Sequence, residues 1–142
     1  MKTVAQLLQL KPAGFVSIRP DAPVLEALRL LADKDIGAVL VMEGERLVGI
    51  LSERDYARKV ALRGKSSAET RVNEIMTPDV VFVTSAQTNE ECMALMTAKR
   101  LRHLPVVDAG KVVGMLSIGD LVKDAISEQQ FIIEQLVHYI HR

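Results

Sequence analysis

Apolar residues in this chain follow two spacings, one helical and one strand-like, which alternate along the sequence. Helical spacing predicts a helix that ends near Lys34, with Asp21 as a candidate N-cap and Pro23 close to the first turn. The apolar run over residues 38–42 predicts a buried strand, because it shows no polar alternation. A polar hairpin turn follows, residues 47–51 predict the return strand, and a further helix is predicted from Ser52.

The second half of the chain repeats this order of elements. A strand is predicted over residues 80–83, and Thr84 or Ser85 is the candidate cap of a helix that runs to Lys99. Residues 104–107 and 112–116 predict another pair of strands, and a last helix is predicted from Ser117.

A constant offset of 65 residues, without a gap, relates the two halves. The segment GILSERD at residues 49–55 returns as GMLSIGD at residues 114–120. Further identical pairs at this offset are Val16 and Val81, Leu30 and Leu95, Lys34 and Lys99, Val41 and Val106, and Val48 and Val113. Such self-similarity indicates one structural unit used twice. We place the boundary in the polar stretch around residues 63–67, which gives units 1–65 and 66–142.

The last helix departs from this symmetry. Its apolar positions continue nearly to the C-terminus, beyond the repeated unit. Such a stripe is covered either by its own domain or by a second copy of the chain. The second copy is favoured because the tail has little core of its own to lie on, so we expect a homodimer.

Composition narrows the function classes. The 142 residues balance 18 Lys and Arg against 18 Asp and Glu, and only 4% of residues are aromatic, which argues against nucleic acid as a partner. A single cysteine excludes an internal disulfide and suits a reducing compartment. We find no signal peptide and no membrane-spanning run, so we expect a cytoplasmic protein without a membrane partner. His138 and His141 lack a third ligand nearby, and no metal site is expected.

The repeated segment carries the candidate chemistry at a strand-to-helix corner. Ser-x-x-Asp at a helix start is close to a capping box, and taken alone each copy is better explained as a cap. Gly119 and Arg54 weaken that alternative, because glycine and a cation are both unfavourable in a first helical turn. An anion bound there would explain both, while Asp55 and Asp120 would accept hydrogen bonds from sugar hydroxyls. Phosphate and sugar together describe a nucleotide.

These residues resemble a tandem pair of CBS domains, the regulatory domains named after cystathionine β-synthase and paired as Bateman modules. The resemblance is carried by RHLPVVD at residues 102–108, by the two copies of the repeated segment, and by the leader NEIMTP at residues 73–78. It implies an α/β (α+β) fold of two pseudo-symmetric β-α-β-β-α units packed sheet to sheet, with two clefts between them. Members of the family bind AMP, ADP, ATP, S-adenosylmethionine or NAD in these clefts.

The resemblance also implies the residues of each cleft. One cleft would use Ser52, Arg54, Asp55 and Ala38, with Thr77, Val80 and Arg102 from the other half. The second would use Ser117, Gly119, Asp120 and His103, with Phe15, Val16 and Gly37 from the other half and Lys11 as a further phosphate contact. Ile50 and Met115 would flank the adenine.

Three functions are compatible with these features. The first is a stand-alone sensor without catalytic residues, which binds an adenine nucleotide, AMP first among them, and regulates an unknown protein in trans. The second is a structural dimerisation module without a ligand. The third, a nucleotide-processing enzyme, is the least supported, because the motif offers only acids that face a ribose and no nucleophile or base at a phosphate.

Overall fold

The computed structural model describes residues 2–141, which form six α-helices, one π-helical turn and five strands. The helices are α1 (Val4–Gln9), α2 (Val24–Lys34), α3 (Glu53–Tyr56), α4 (Val72–Ile75), α5 (Asn89–Lys99) and α6 (Ile118–Ile140), and the π-helical turn Ala57–Ala61 continues α3. The strands are β1 (Ser17–Ile18), β2 (Ala38–Glu43), β3 (Arg46–Ser52), β4 (His103–Asp108) and β5 (Lys111–Ser117). The predicted α/β (α+β) class is confirmed.

The chain forms two compact units, and their limits differ from the boundary expected after residue 65. The first unit is Gly14–Val81, and the second unit joins the residues up to Ala13 to those from Phe82 onward. The segment after residue 65 stays with the first unit because Val72 and Ile75 are buried in its hydrophobic cluster. The N-terminal segment joins the second unit, where the Val4 amide donates to the Gln87 carbonyl at 2.7 Å.

The first unit is built on a three-stranded sheet in the order β1-β2-β3. Strand β1 runs parallel to β2, and β3 returns antiparallel to β2. The run predicted to be buried is buried throughout, from Ala38 to Met42. Helix α2 covers this sheet with Val24, Ala27 and Leu31, and it begins after Pro23, two residues later than the cap expected at Asp21.

The second unit holds the antiparallel pair of β4 and β5. The strand predicted over residues 80–83 is reduced to a single bridge between Val83 and Val106. Helix α5 is capped by Thr88 and not by Thr84 or Ser85, since the helix begins at Asn89 and the Thr88 hydroxyl accepts from the Glu91 amide at 3.2 Å. The amides of Thr84 and Ser85 bond to the side chains of Gln87 and Asp108 in the turn before the helix.

Helix α6 is the longest element, with 23 residues. Only Leu121 and Asp124 along it are buried, and every residue from Gln129 to Ile140 is exposed. Within the described residues, no helix combines the length and the apolar character that crossing a membrane requires.

Candidate functional site

Each copy of the repeated segment forms the same corner, in which a strand runs directly into a helix. Ser52 ends β3 and caps α3, and Ser117 ends β5 and caps α6, both with extended backbone. In each corner the serine hydroxyl accepts from the aspartate amide, and an aspartate oxygen accepts from the serine amide, at 2.9 Å for Asp55 and 2.8 Å for Asp120. Both corners are therefore complete capping boxes, so the serine and the aspartate have the geometry of a helix cap, which was the alternative to a ligand site.

The strand next to each corner supplies an equivalent backbone contact. The amide of Glu53 donates to the Gly37 carbonyl at 3.0 Å, and the amide of Ile118 donates to the Arg102 carbonyl at 2.8 Å. Ala38 pairs with Ser52 across the first sheet, as His103 pairs with Ser117 across the second. The offset of the sequence repeat is thus preserved in the hydrogen bonds of the two corners.

The carboxylate of Asp55 uses its two oxygens differently. Oδ2 serves the cap, while Oδ1 lies 3.1 Å from Lys59 Nζ and accepts from the Thr77 hydroxyl at 3.3 Å. Lys59 also donates to the Ile75 carbonyl at 2.9 Å. One oxygen of Asp55 therefore completes the capping box, and the other contacts the side chains of Thr77 and Lys59.

Thr77 belongs to the same compact unit as Ser52 and Asp55, and so does Val80, although both were expected from the other half. The reason is a pair of backbone bonds between Ile50 and Thr77, at 3.0 and 2.9 Å, which ties the leader segment to β3. Arg102 does lie in the other unit, the second.

Other residues named for the two clefts also belong to the first unit. Arg54 is exposed and makes no ion pair with any described residue, so its role toward a phosphate remains a prediction. Phe15 is 38% exposed, and Val16 accepts from the Leu40 amide at 3.3 Å as an extension of β1. Phe15, Val16 and Gly37 were named as the first half's contribution to the second cleft, and all three lie in the first unit, so their role at that cleft stays a prediction.

The second corner takes its cation from a distant segment. Lys11 Nζ lies 2.8 Å from Asp120 Oδ2 and donates to the Met115 carbonyl at 2.7 Å. Burial alone would raise the pKa of Asp120, but the hydrogen bonds from Lys11 and Ser117 outweigh it and lower the pKa below its ordinary value. Asp120 is therefore held as a carboxylate, the form that accepts hydroxyl hydrogen bonds.

His103 lies beside this carboxylate among cations. Burial lowers the pKa of His103, the charges of Lys11 and Arg102 lower it further, and Asp120 opposes them. A phosphate in this position would meet two cations and a neutral imidazole.

The packing of the described residues does not require a glycine at position 119. A Cβ built there would meet only Ser117 Oγ, at an ordinary 3.6 Å. The packing leaves room for an anion to approach the Gly119 backbone, and its binding there stays a prediction.

Lys59 was missed by the sequence analysis, which named Arg54 as the cation of the first corner. The available signal was its spacing, since Asp55 and Lys59 are four residues apart and share a helix face. Arg54 neighbours Asp55 in sequence, but it points to solvent.

A cavity of about 280 Å³ opens between α1 and α6 in the second unit. Its lining is charged and mixed in sign, with apolar leucines, and consists of Lys2, Leu7, Leu10, Lys11, Asp120, Lys123, Asp124 and Ser127. Pockets for small molecules usually measure about 300–1,000 Å³, so this cavity alone is small for a whole nucleotide. Within residues 2–141 no cluster of three or more His, Cys, Asp or Glu side chains is arranged to hold a metal.

Comparison with known proteins gives the family. The CBS domain model matches twice, over residues 12–62 and 72–126. The mitochondrial CBS domain-containing protein CBSX3 of Arabidopsis thaliana is 37% identical over 125 residues, which are 84% of this chain and 61% of that protein. Longer Arabidopsis relatives are matched over only 24% and 22% of their lengths.

Solved structures agree with this assignment. The crystal structure of a CBS domain is 57% identical, with a TM-score of 0.85, and the match covers 88% of this chain and 98% of that one. The structure of CBSX2 in complex with AMP is 27% identical with a TM-score of 0.74, and the match covers 91% of this chain and 99% of that one. Because the family model matches twice and the similar structures are CBS-domain proteins, the chain belongs to the CBS-domain family and carries two CBS domains.

Proposed function

We propose that this chain is a regulatory module that binds an adenine nucleotide at its two strand-to-helix corners and acts on a separate protein. The observation that carries the proposal is the duplicated aspartate with a cation beside it. Asp55 is paired with Lys59, and Asp120 is paired with Lys11. A carboxylate for sugar hydroxyls next to an ammonium for phosphate is the pair of groups that a nucleotide requires.

AMP is the ligand we propose first, with ATP, NAD or S-adenosylmethionine as the other candidates. The related protein CBSX2 was solved with AMP, which supports an adenine nucleotide but does not select one for this chain. Among the described residues, Asp120 Oδ1 receives no hydrogen bond from the protein, so it is the oxygen proposed to meet a ribose hydroxyl.

The test is thermal unfolding and calorimetry with each candidate nucleotide. A nucleotide at 100 times its dissociation constant should add about 2.7 kcal/mol to the free energy of unfolding. Asp55→Ala and Asp120→Ala should each remove one binding event and leave the protein folded. Both variants also lose the half of the capping box that holds the serine amide, a loss comparable to that of a cap at about 0.5–2 kcal/mol, so a control with a similar loss is needed.

Thr88→Ala is that control. Thr88 caps α5 with a side chain that accepts from the Glu91 amide at 3.2 Å, and it is not among the proposed site residues. We expect Thr88→Ala to lower stability by a similar amount while nucleotide binding is unchanged. If Asp55→Ala and Asp120→Ala bind AMP, ATP, NAD and S-adenosylmethionine as well as the wild type does, the proposed site is wrong.

A structural dimerisation module is the second candidate, and the completed capping boxes favour it, because both aspartates already have partners without a ligand. This candidate predicts no thermal shift with AMP, ADP, ATP, NAD or S-adenosylmethionine. The catalytic alternative predicts that AMP or NAD is altered during incubation, whereas a sensor returns it unchanged.

The regulatory role is supported by relatives that are named for their CBS domains and not for a reaction. The identity of the regulated protein and the cytoplasmic location are also proposals, and CBSX3 is named as mitochondrial. Affinity purification from fractionated cells, with and without AMP, would test both.

A further inference from the structure

The apolar face of α6 points away from its own unit along the whole helix. Leu121 and Asp124, on one side of the helix, are buried against the second unit. Ile118, Val122 and Ile126, spaced four residues apart on the opposite side, are 44%, 39% and 62% exposed. Because the helix continues without a break to Ile140, the same face stays directed away from the unit.

The exposed apolar area is that of a dimer interface. Seven large apolar side chains on or beside this face are between 49% and 72% exposed: Ile126, Ile132, Ile133, Leu136, Val137, Tyr139 and Ile140. At roughly 60–120 Å² of apolar surface per fully exposed side chain, they leave roughly 250–500 Å² in water. One side of a homodimer interface of standard size has an apolar part of roughly 500 Å².

The spacing on this face is that of a helix pair. Ile126, Ile133 and Ile140 recur every seven residues, and Gln129 and Leu136 follow the first two of them by three residues. Isoleucine at the first position of a heptad with leucine at the fourth favours two parallel helices. Gln129 is the one polar residue among these five positions, and in a parallel, in-register pair its amide would meet the same amide of the partner.

We propose that residues 126–140 pair with the same segment of a second copy as a parallel, in-register two-helix coil. Each copy's second unit then lies on the outer side of the pair, because the contact face is opposite to Leu121 and Asp124. The match to the family model ends at residue 126, so this contact uses a segment outside the CBS repeats. It does not rest on nucleotide binding.

A membrane surface fits the same face less well. Helices that lie on membranes carry Lys and Arg on their polar face. From Asp124 to Ile140 this chain has Asp124, Glu128 and Glu134 but no Lys or Arg. The acidic polar face favours a protein partner over anionic lipid.

The first experiment is sedimentation equilibrium of the full chain between about 1 and 100 μM. The double variant Ile133→Glu, Leu136→Glu should raise the dimer dissociation constant at least about 100-fold, the loss expected when charge enters a packed seam. The control Gln135→Glu adds one negative charge, half that of the double variant, on the outer face and should change the constant less than about twofold. A monomeric wild type at about 100 μM, or a double variant that dimerises like the wild type, would overturn the proposal.

A second experiment tests the orientation of the helices. Gln129→Cys should form a disulfide between two copies under mild oxidation, because equivalent seam positions in a parallel pair lie within the Cα separation a disulfide needs. Gln135→Cys is the outward-facing control, and the wild type, whose single cysteine Cys92 is buried, is the control for cross-linking through the native thiol. A dimer in which Gln129→Cys fails to cross-link would refute the parallel register, even if the double variant dissociates.

Discussion

Replacing Gly49 with alanine tests why the repeated segment begins with glycine. A Cβ on Gly49 would lie 2.5 Å from Met76 Sδ and 3.2 Å from the Thr77 carbonyl oxygen. The matching glycine, Gly114, has a different neighbour, since its Cβ would lie 2.8 Å from a terminal methyl of Leu8. The two glycines are equivalent in sequence, but only one of them is pressed against backbone.

The expected magnitude follows from what has to move. Leu8 can rotate a partly exposed side chain, so Gly114→Ala should cost less than about 1 kcal/mol. In Gly49→Ala both Met76 and Thr77 must shift, and Thr77 carries the two backbone bonds to Ile50. We expect a loss of about 2–3 kcal/mol, from overpacking of about 1–3 kcal/mol together with weakened hydrogen bonds.

Thermal unfolding measures this difference directly. At about 3–4 °C per kcal/mol for a chain of this size, Gly49→Ala should lower the Tm by roughly 6–12 °C and Gly114→Ala by under about 4 °C. Alanine restricts the unfolded chain equally in both variants, so that effect cancels in the comparison. The reasoning is refuted if Gly114→Ala lowers the Tm as much as Gly49→Ala does. Because Thr77 also contacts Asp55, Gly49→Ala should weaken nucleotide binding in the first unit only.

Three further predictions concern the second unit. Lys11→Met should cost less than about 1 kcal/mol, because its ion pair is partly exposed, and should weaken AMP binding more than adenosine binding in calorimetry; equal losses for both ligands would exclude a phosphate role. Because the folded-state pKa of His103 lies below 6.5, the neutral ring contributes stability that is present above pH 6.5 and lost as pH falls through the folded pKa. Urea unfolding at stepped pH should therefore show a flatter profile for His103→Asn, and an unchanged slope would contradict this assignment. Asn89→Ala should cost about 1–3 kcal/mol by urea unfolding, because Asn89 Nδ2 donates at 2.7 Å to the buried carboxylate of Asp124; a cost below about 0.5 kcal/mol would show that Lys2 alone satisfies that carboxylate.

Features of this fold that depend on residues close together in the chain could be predicted from the sequence. The two capping boxes each span four residues, so their formation depends on neighbours along the chain. The buried strand β2 was recognisable from its unbroken apolar run for the same reason. Even so, the cap of α5 was assigned wrongly, because Thr84, Ser85 and Thr88 are all acceptable residues. The side chain of Asn89, which bonds to the Leu121 carbonyl and to Asp124, anchors the start of α5.

The sequence by itself determined that one unit occurs twice and that each copy turns from strand to helix at a serine and an aspartate, since these are patterns of close neighbours and of a fixed offset. Only the tertiary structure decided which cation stands beside Asp120. Lys11 reaches Asp120 across 109 residues of chain, whereas Lys59 lies four residues from Asp55 and its spacing was visible in the sequence. The tertiary structure also decided that the leader with Thr77 stays with the first unit, because backbone bonds to Ile50 hold it there. Contacts between segments far apart in the chain leave no periodic pattern in the sequence, so they appear only when the chain is folded.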